Sequence, residues 1–145
     1  MKFKVVAIAA ATLAVAALTA SPAGAATAGH PYDGKDPYTA KCSSGSYAVR
    51  SASTRAGTIK LMWSPRCGTN WTEIWVSPRK AGSIWVKRSG GKYGYAVERF
   101  GYKAGRSHHW GNMVYANNTC AWGSASVGLP QQGDVQVLDT TKACG

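Results

Sequence analysis

The chain has 145 residues, with 17 Lys and Arg against 6 Asp and Glu and 4 cysteines. That length holds one compact domain and excludes two. A formal charge of +11 favours polyanionic or acidic partners, and an even cysteine count argues against a reducing compartment.

Lys2 and Lys4 precede a 16-residue apolar run, Val5 to Ala20, followed by Ser21, Pro22 and small residues. Ala23-Gly24-Ala25 satisfies the small-x-small cleavage rule, and Ala26-Thr27-Ala28 offers a second site. This is the pattern of a secretory signal peptide over residues 1–25, cleaved on export. The run is shorter than the ~20 residues a spanning helix needs, so a membrane anchor is disfavoured. The mature chain would hold 120 residues, with 15 basic against 6 acidic side chains and a charge of +9. No second apolar run follows, so no membrane span is expected in it, and the expected location is extracellular.

Residues 26–41 carry Gly29, Pro31, Gly34 and Pro37 without apolar periodicity. They read as an irregular N-terminal arm, available to dock on a partner. Within it, Asp33-Gly34-Lys35-Asp36-Pro37 predicts tight turns. Two aspartates three apart lack the twelve-residue ligand pattern of a calcium loop.

From Tyr47 onward the chain reads as β-structure within one domain, residues 42–145. Thr58–Trp63 alternates Ile59, Leu61 and Trp63 with Lys60 and Met62. Asn70–Val76 places Trp71, Glu73 and Trp75 on one face and Thr72, Ile74 and Val76 on the other. Ser83–Lys87, Tyr93–Phe100, Asn112–Tyr115, Thr119–Ser126 and Asp134–Leu138 continue the series. Turn signals separate them, at Ser64-Pro65-Arg66-Cys67-Gly68, at Ser77 to Gly82 and at Ser89-Gly90-Gly91-Lys92. No segment carries a helical stripe. The fold class is therefore all-β, a small antiparallel barrel or sandwich stapled by two disulfides.

Cys42, Cys67, Cys120 and Cys144 all lie in the mature region, and none stands at zinc-ligand spacing. Four cysteines allow three pairings. Cys42–Cys67 with Cys120–Cys144 is favoured, because each bond then ties a flexible end to a neighbouring strand. Each loop would add roughly 3 kcal/mol by restricting the unfolded chain. Trp63 and Trp71 flank Cys67 and are expected to pack over a disulfide.

Gly34-Lys35-Asp36-Pro37, then Cys42, then the run from Gly57 to Trp71 with its Ser-Pro-Arg-Cys-Gly-Thr-Asn-Trp ending, resemble the YjfA-like family of small secreted proteins of Gram-positive bacteria. The likeness extends to Asn112-Met113-Val114-Tyr115 and to Ala143-Cys144-Gly145. It departs at Tyr32 and Asp33, where many relatives carry a further cysteine, which leaves the pairing open. The resemblance implies export and a compact disulfide-bonded fold, and it supplies no catalytic residues.

Catalysis needs converging groups. The most coherent set is a metal-free ribonuclease-like one, with Glu73 as base, His108 or His109 as acid, and Arg66 or Arg99 steadying phosphate. Glu73 amid aromatics also fits an ordinary ion pair with a neighbouring Lys or Arg. Glu73 with Glu98 is the one strand pair available for glycoside hydrolysis. No Gly-x-Ser-x-Gly elbow occurs. No catalytic residue, metal or cofactor is assigned.

The binding case rests on 6 tryptophans and 7 tyrosines. Trp, Tyr and Arg dominate interface hot spots. Trp85 and Lys87 share a face, and the tips at Ser64–Asn70 and Ser89–Lys92 should lie at one end. The expected patch is Arg66, Trp85, Arg88 and Lys92. The resulting expectation is a secreted, non-catalytic binding or adaptor protein, such as an accessory subunit of an extracellular toxin or surface assembly. Its partner would be a secreted or cell-surface protein, with a wall polymer or nucleic acid as the polyanionic option. The alternatives are a small nuclease-like toxin and an inhibitor that enters a cleft with Pro65-Arg66-Cys67.

Overall fold

A computed structural model describes residues 29–90, 95–100, 105–128, 133 and 135–145, with 95–100 as backbone only. The signal-peptide segment, Lys92 and the Asp134 start of the expected last strand lie outside the described residues.

Ten strands and no helix make up the described chain: β1 Tyr47–Thr54, β2 Gly57–Ser64, β3 Thr69–Val76, β4 Ala81–Arg88, β5 Tyr95–Phe100, β6 His108–Trp110, β7 Val114–Tyr115, β8 Cys120–Gly128, β9 Val135–Asp139 and β10 Ala143–Cys144. They form two antiparallel sheets. The first runs β1-β2-β3-β6, with β7 also on β3, and the second runs β10-β8-β4-β5, with β9 also on β8. The expected sandwich is therefore the architecture. Each sheet ends in two short strands laid head to tail along one long neighbour. β6 takes Glu73 to Trp75 of β3 while β7 takes Thr69 and Asn70. β9 and β10 divide β8 in the same way.

Period-two alternation decides what fills the space between the sheets. Ile59, Leu61 and Ile74 from the first sheet meet Ile84, Val86, Ala125 and Val127 from the second, all at 1 % exposure or less, and Leu138 joins them. The sheets approach closely at Gly123. A Cβ there would stand 2.5 Å from the Thr72 hydroxyl oxygen. That hydroxyl donates to the Trp85 carbonyl at 2.7 Å and so bridges the two sheets inside the core.

The other face of the first sheet presents Trp71, Glu73 and Trp75, and residues 29–45 lie across it. These residues are a series of turns without strand or helix, as expected. The expectation of an arm available for docking is corrected: its described residues are fastened to the domain. Gly34 N donates to the Met113 carbonyl and Met113 N to the Lys35 carbonyl, both at 2.8 Å. Cys42 joins Cys67, and with Trp71 and Met113 the pair forms a second, smaller core beneath the arm. The remaining cysteines join as Cys120–Cys144 on opposed residues of β8 and β10. Both bonds are the favoured ones. Trp71 packs on its disulfide, whereas Trp63, near the end of β2, lies outside that cluster and stays half-buried.

Candidate functional site

Glu73 is the centre of the arm-covered face. It sits mid-strand in β3 at 4 % exposure, so its oxygens need protein partners. Oε1 accepts the Tyr38 hydroxyl at 2.8 Å and the Trp71 indole N–H at 2.8 Å. Oε2 faces His108 Nε2 at 2.9 Å. Lys60 is the cross-strand neighbour of Glu73, yet its ammonium lies 4.6 Å from the centre of the Trp75 ring instead. The ordinary expectation of a Lys or Arg partner is thus replaced by a histidine, an indole and a phenol.

Around this carboxylate the side chains form a ladder. β2 and β6 flank β3 on opposite sides, so Trp75 has Lys60 against it from one strand and His108 from the other. The His108 ring stacks on Trp75 at 4.4 Å and 8°. Trp110 follows His108 at 5.5 Å, and Tyr38 leans on Trp110 at 4.6 Å. The Trp110 indole N–H donates to Asp36 Oδ2 at 2.8 Å, and the Arg106 guanidinium lies 5.7 Å from the Trp110 ring.

Asp36 explains why the arm turns where it does. Its Oδ1 accepts the backbone N–H groups of Tyr38 and Thr39 at 2.9 and 2.7 Å, which starts the turn that delivers the Tyr38 hydroxyl to Glu73. Burial opposes ionisation of Asp36, but the bonds from Thr39, Trp110 and Tyr38 outweigh it and hold its carboxyl below the ordinary value. Tyr38 is pushed well above the ordinary phenol value, first by burial of its hydroxyl and then by its bond to Glu73 and the charges of Glu73 and Asp36. His109 points to the opposite face from His108. Burial lowers its pKa, against a raising bond to the Arg106 carbonyl.

The fold places the described members of the expected binding set differently from one another. Arg66 stands exposed at the tip between β2 and β3, beside exposed Pro65. Arg88 reaches that same end of the sandwich but is committed. It pairs with Asp33 at 3.3 Å and donates to the Tyr115 carbonyl. Trp85 projects from the opposite face of β4, where Lys87 also lies, half-buried. Lys92 lies outside the described residues. Arg66, Arg88 and Trp85 therefore do not share one surface. Of the expected catalytic set, Glu73 and His108 meet, while Glu98 and Arg99 fall where backbone alone is described. Asp33, Asp36, Tyr38 and Trp110, the residues that fasten the arm, have no sequence signature beyond Asp-Gly-Lys-Asp-Pro.

The tip is rigid for local reasons. Gly68 adopts φ +64°, its N–H donates to the Ser64 carbonyl at 2.8 Å, and its carbonyl accepts Ala116 N–H at 2.9 Å. A side chain at position 68 would be strained by that φ and would meet the Tyr115 ring at 2.8 Å.

The family model described as "Protein of unknown function (DUF2690)" matches residues 30–122. The chain belongs to this DUF2690 family. The DUF2690 match takes in every residue of the ladder, from Asp36 to Trp110, and the Arg66 tip; β9 and β10 lie beyond it. No curated protein and no solved structure matches the chain. The two disulfides are compatible with an extracellular protein, and among the described residues no helix is long and apolar enough to cross a membrane.

Proposed function

We propose that this chain is a secreted, non-catalytic binding or adaptor protein that seats its β2–β3 tip on a secreted or cell-surface partner protein. On this reading it is an accessory subunit of an extracellular toxin or surface assembly. The YjfA-like resemblance and the signal-peptide pattern support export from a Gram-positive cell. One observation carries the binding role: Pro65 and Arg66 are exposed while Cys67 and Gly68 beside them are locked to the arm and to Ala116. A tip already held in one shape loses little conformational freedom on binding, and arginine is a preferred anchor at such contacts.

A second reading, the nuclease-like one, draws on the 2.9 Å contact between Glu73 and His108. Glu73 argues against it, since it is almost fully buried and both its oxygens are occupied. A general base must reach the proton it takes.

The test is affinity capture of tagged protein from the medium of its native secretor, compared with Arg66→Glu. A stoichiometric secreted protein retained in moderate salt by the parent and lost by the variant supports the adaptor role. A bare monomer from both, together with RNA cleavage abolished by His108→Ala, replaces it with the enzyme.

A further inference from the structure

At the end of the sandwich where β1, β2, the loop after β7 and β10 converge, a groove of ≈ 180 Å³ opens between the sheets. Tyr47 and Trp63 are its aromatic wall, side by side because they are cross-strand partners in β1 and β2. Asn70 and Asn117 supply amides, and Thr119 and Cys144 also line it. The Cys120–Cys144 bond ties this part of the lining to β8.

Three properties of the lining select a ligand class. The first is charge. In a chain of formal +11, no described residue lining this groove has a charged side chain. Phosphate or carboxylate groups would find no Lys or Arg there.

The second is the aromatic wall. Tyr47 is 54 % exposed. Neither its hydroxyl nor the Trp63 indole N–H has a hydrogen-bond partner among the described residues. Trp71 and Trp110, by contrast, both donate their indole N–H groups internally. Rings with an apolar body and an unused polar tip suit a ligand that is apolar on one face and hydroxylated at its rim.

The third is the amide pair. Asn70 is 4 % exposed, and its Nδ2 is fixed by donation to the Met62 carbonyl at 2.7 Å, which leaves Oδ1 as an acceptor. Asn117 is exposed and brings both a donor and an acceptor.

We propose that this groove binds a neutral sugar ring, a single pyranose unit of an uncharged glycan, stacked on Tyr47 and Trp63 and hydrogen-bonded by Asn70 and Asn117. A pyranose has an apolar C–H face for the rings and hydroxyls that both give and accept for the amides. Its neutrality matches a lining without charged side chains. The groove admits about one such ring, so the free sugar binds weakly, in the millimolar range expected of so few contacts. A second copy of the chain is a poor occupant, since both copies carry the same positive charge. The inference is independent of the tip: Arg66 is not part of the groove.

The experiment follows the Trp63 indole signal of the oxidised, ¹⁵N-labelled protein during titration with the methyl glycosides of glucose, galactose, mannose and N-acetylglucosamine. At least one is expected to shift the Trp63 signal saturably and to leave the buried Trp71 signal in place. Tyr47→Ala and, separately, Asn117→Ala should weaken that binding about tenfold or more, or roughly 1.4 kcal/mol. Tyr47→Phe, which keeps the ring and drops the hydroxyl, should weaken it less than Tyr47→Ala, whereas Arg66→Glu, outside the groove, should leave it within about threefold. Raising the salt should change nothing, because no ion pair forms. The proposal is overturned if none of the four glycosides moves Trp63, if Tyr47→Ala binds like the parent, or if methyl glucuronide binds better than methyl glucoside and is displaced by salt.

Discussion

The outer faces of the two sheets carry similar residues and have opposite fates. On the first sheet Trp71 and Glu73 lie under the arm, where the Trp71 indole N–H and both Glu73 oxygens meet protein partners, and Trp75 beside them is sandwiched by His108 and Lys60. On the second, Trp85 and Lys87 of β4 and Trp122 of β8 alternate with serines. Val135 and Val137 on β9 are 63 % and 60 % exposed. Among the described residues Lys142 reaches across, its ammonium 4.8 Å from the Trp122 ring centre. What distinguishes the faces among the described residues is a covering segment, and the buried Glu73 carboxyl helps to hold it. A tryptophan-rich strand face is therefore a core or a surface according to whether the chain supplies something to lie on it.

The comparison breaks most sharply at Glu73. Glu73→Ala leaves the buried Trp71 indole N–H without an acceptor and takes away the partner of the Tyr38 hydroxyl and of His108, both partly exposed, and the expected loss is about 3 kcal/mol in urea unfolding. Glu73→Gln keeps an acceptor for Tyr38 and Trp71 and should lose markedly less. On the open face, Val137→Thr should change stability by no more than ~0.5 kcal/mol. Equal losses at positions 73 and 137 would show that the arm does not depend on the carboxylate.

The disulfides sharpen the same contrast. Cys42 and Cys67 are 0 % and 5 % exposed beneath the arm, whereas Cys144 is exposed on the last strand. Thiol attack needs access to a sulfur. Mild reductant should therefore open Cys120–Cys144 first, read by alkylation and mass mapping of the two pairs. Removing either bond by double Ser substitution should cost roughly 3 kcal/mol, since the two loops are of similar length, 25 and 24 residues. Loss of Cys42–Cys67 should in addition expose Trp71, seen as a red shift of its fluorescence.

Much of this fold was legible because β-alternation is a local signal. β2, β3, β4 and β8 stand within a few residues of where apolar periodicity puts them, and the two faces of β3 divide as written. β6 and β10 escaped because strands of three and two residues are too short to show a period. Arg88 reads as a surface cation from sequence, and its ion pair depends on Asp33, 55 residues away. The Glu73–His108 contact, at a separation of 35 residues, was foreseeable only as a juxtaposition among several. That Tyr38 would complete it depends on how an irregular arm folds back, which no periodicity encodes.

The smallest effect is the most specific to the covered face. The Tyr38 hydroxyl has a folded-state pKa raised above its ordinary value of 10.0, through burial and the Glu73 carboxylate. Below that ordinary value both folded and unfolded chains keep the proton, and the full contribution of the Tyr38–Glu73 bond is present. Above it the unfolded chain ionises first, so stability falls as pH rises toward the folded-state value. Tyr38→Phe removes the group that titrates and costs about 1 kcal/mol at neutral pH for the lost bond. The parent and the variant should therefore converge in stability as pH is raised above 10.0. Unfolding curves of both proteins from neutral to alkaline pH read this directly. A constant gap between them would mean that the hydroxyl is open to solvent and that the arm is held at Glu73 by packing of the ring alone.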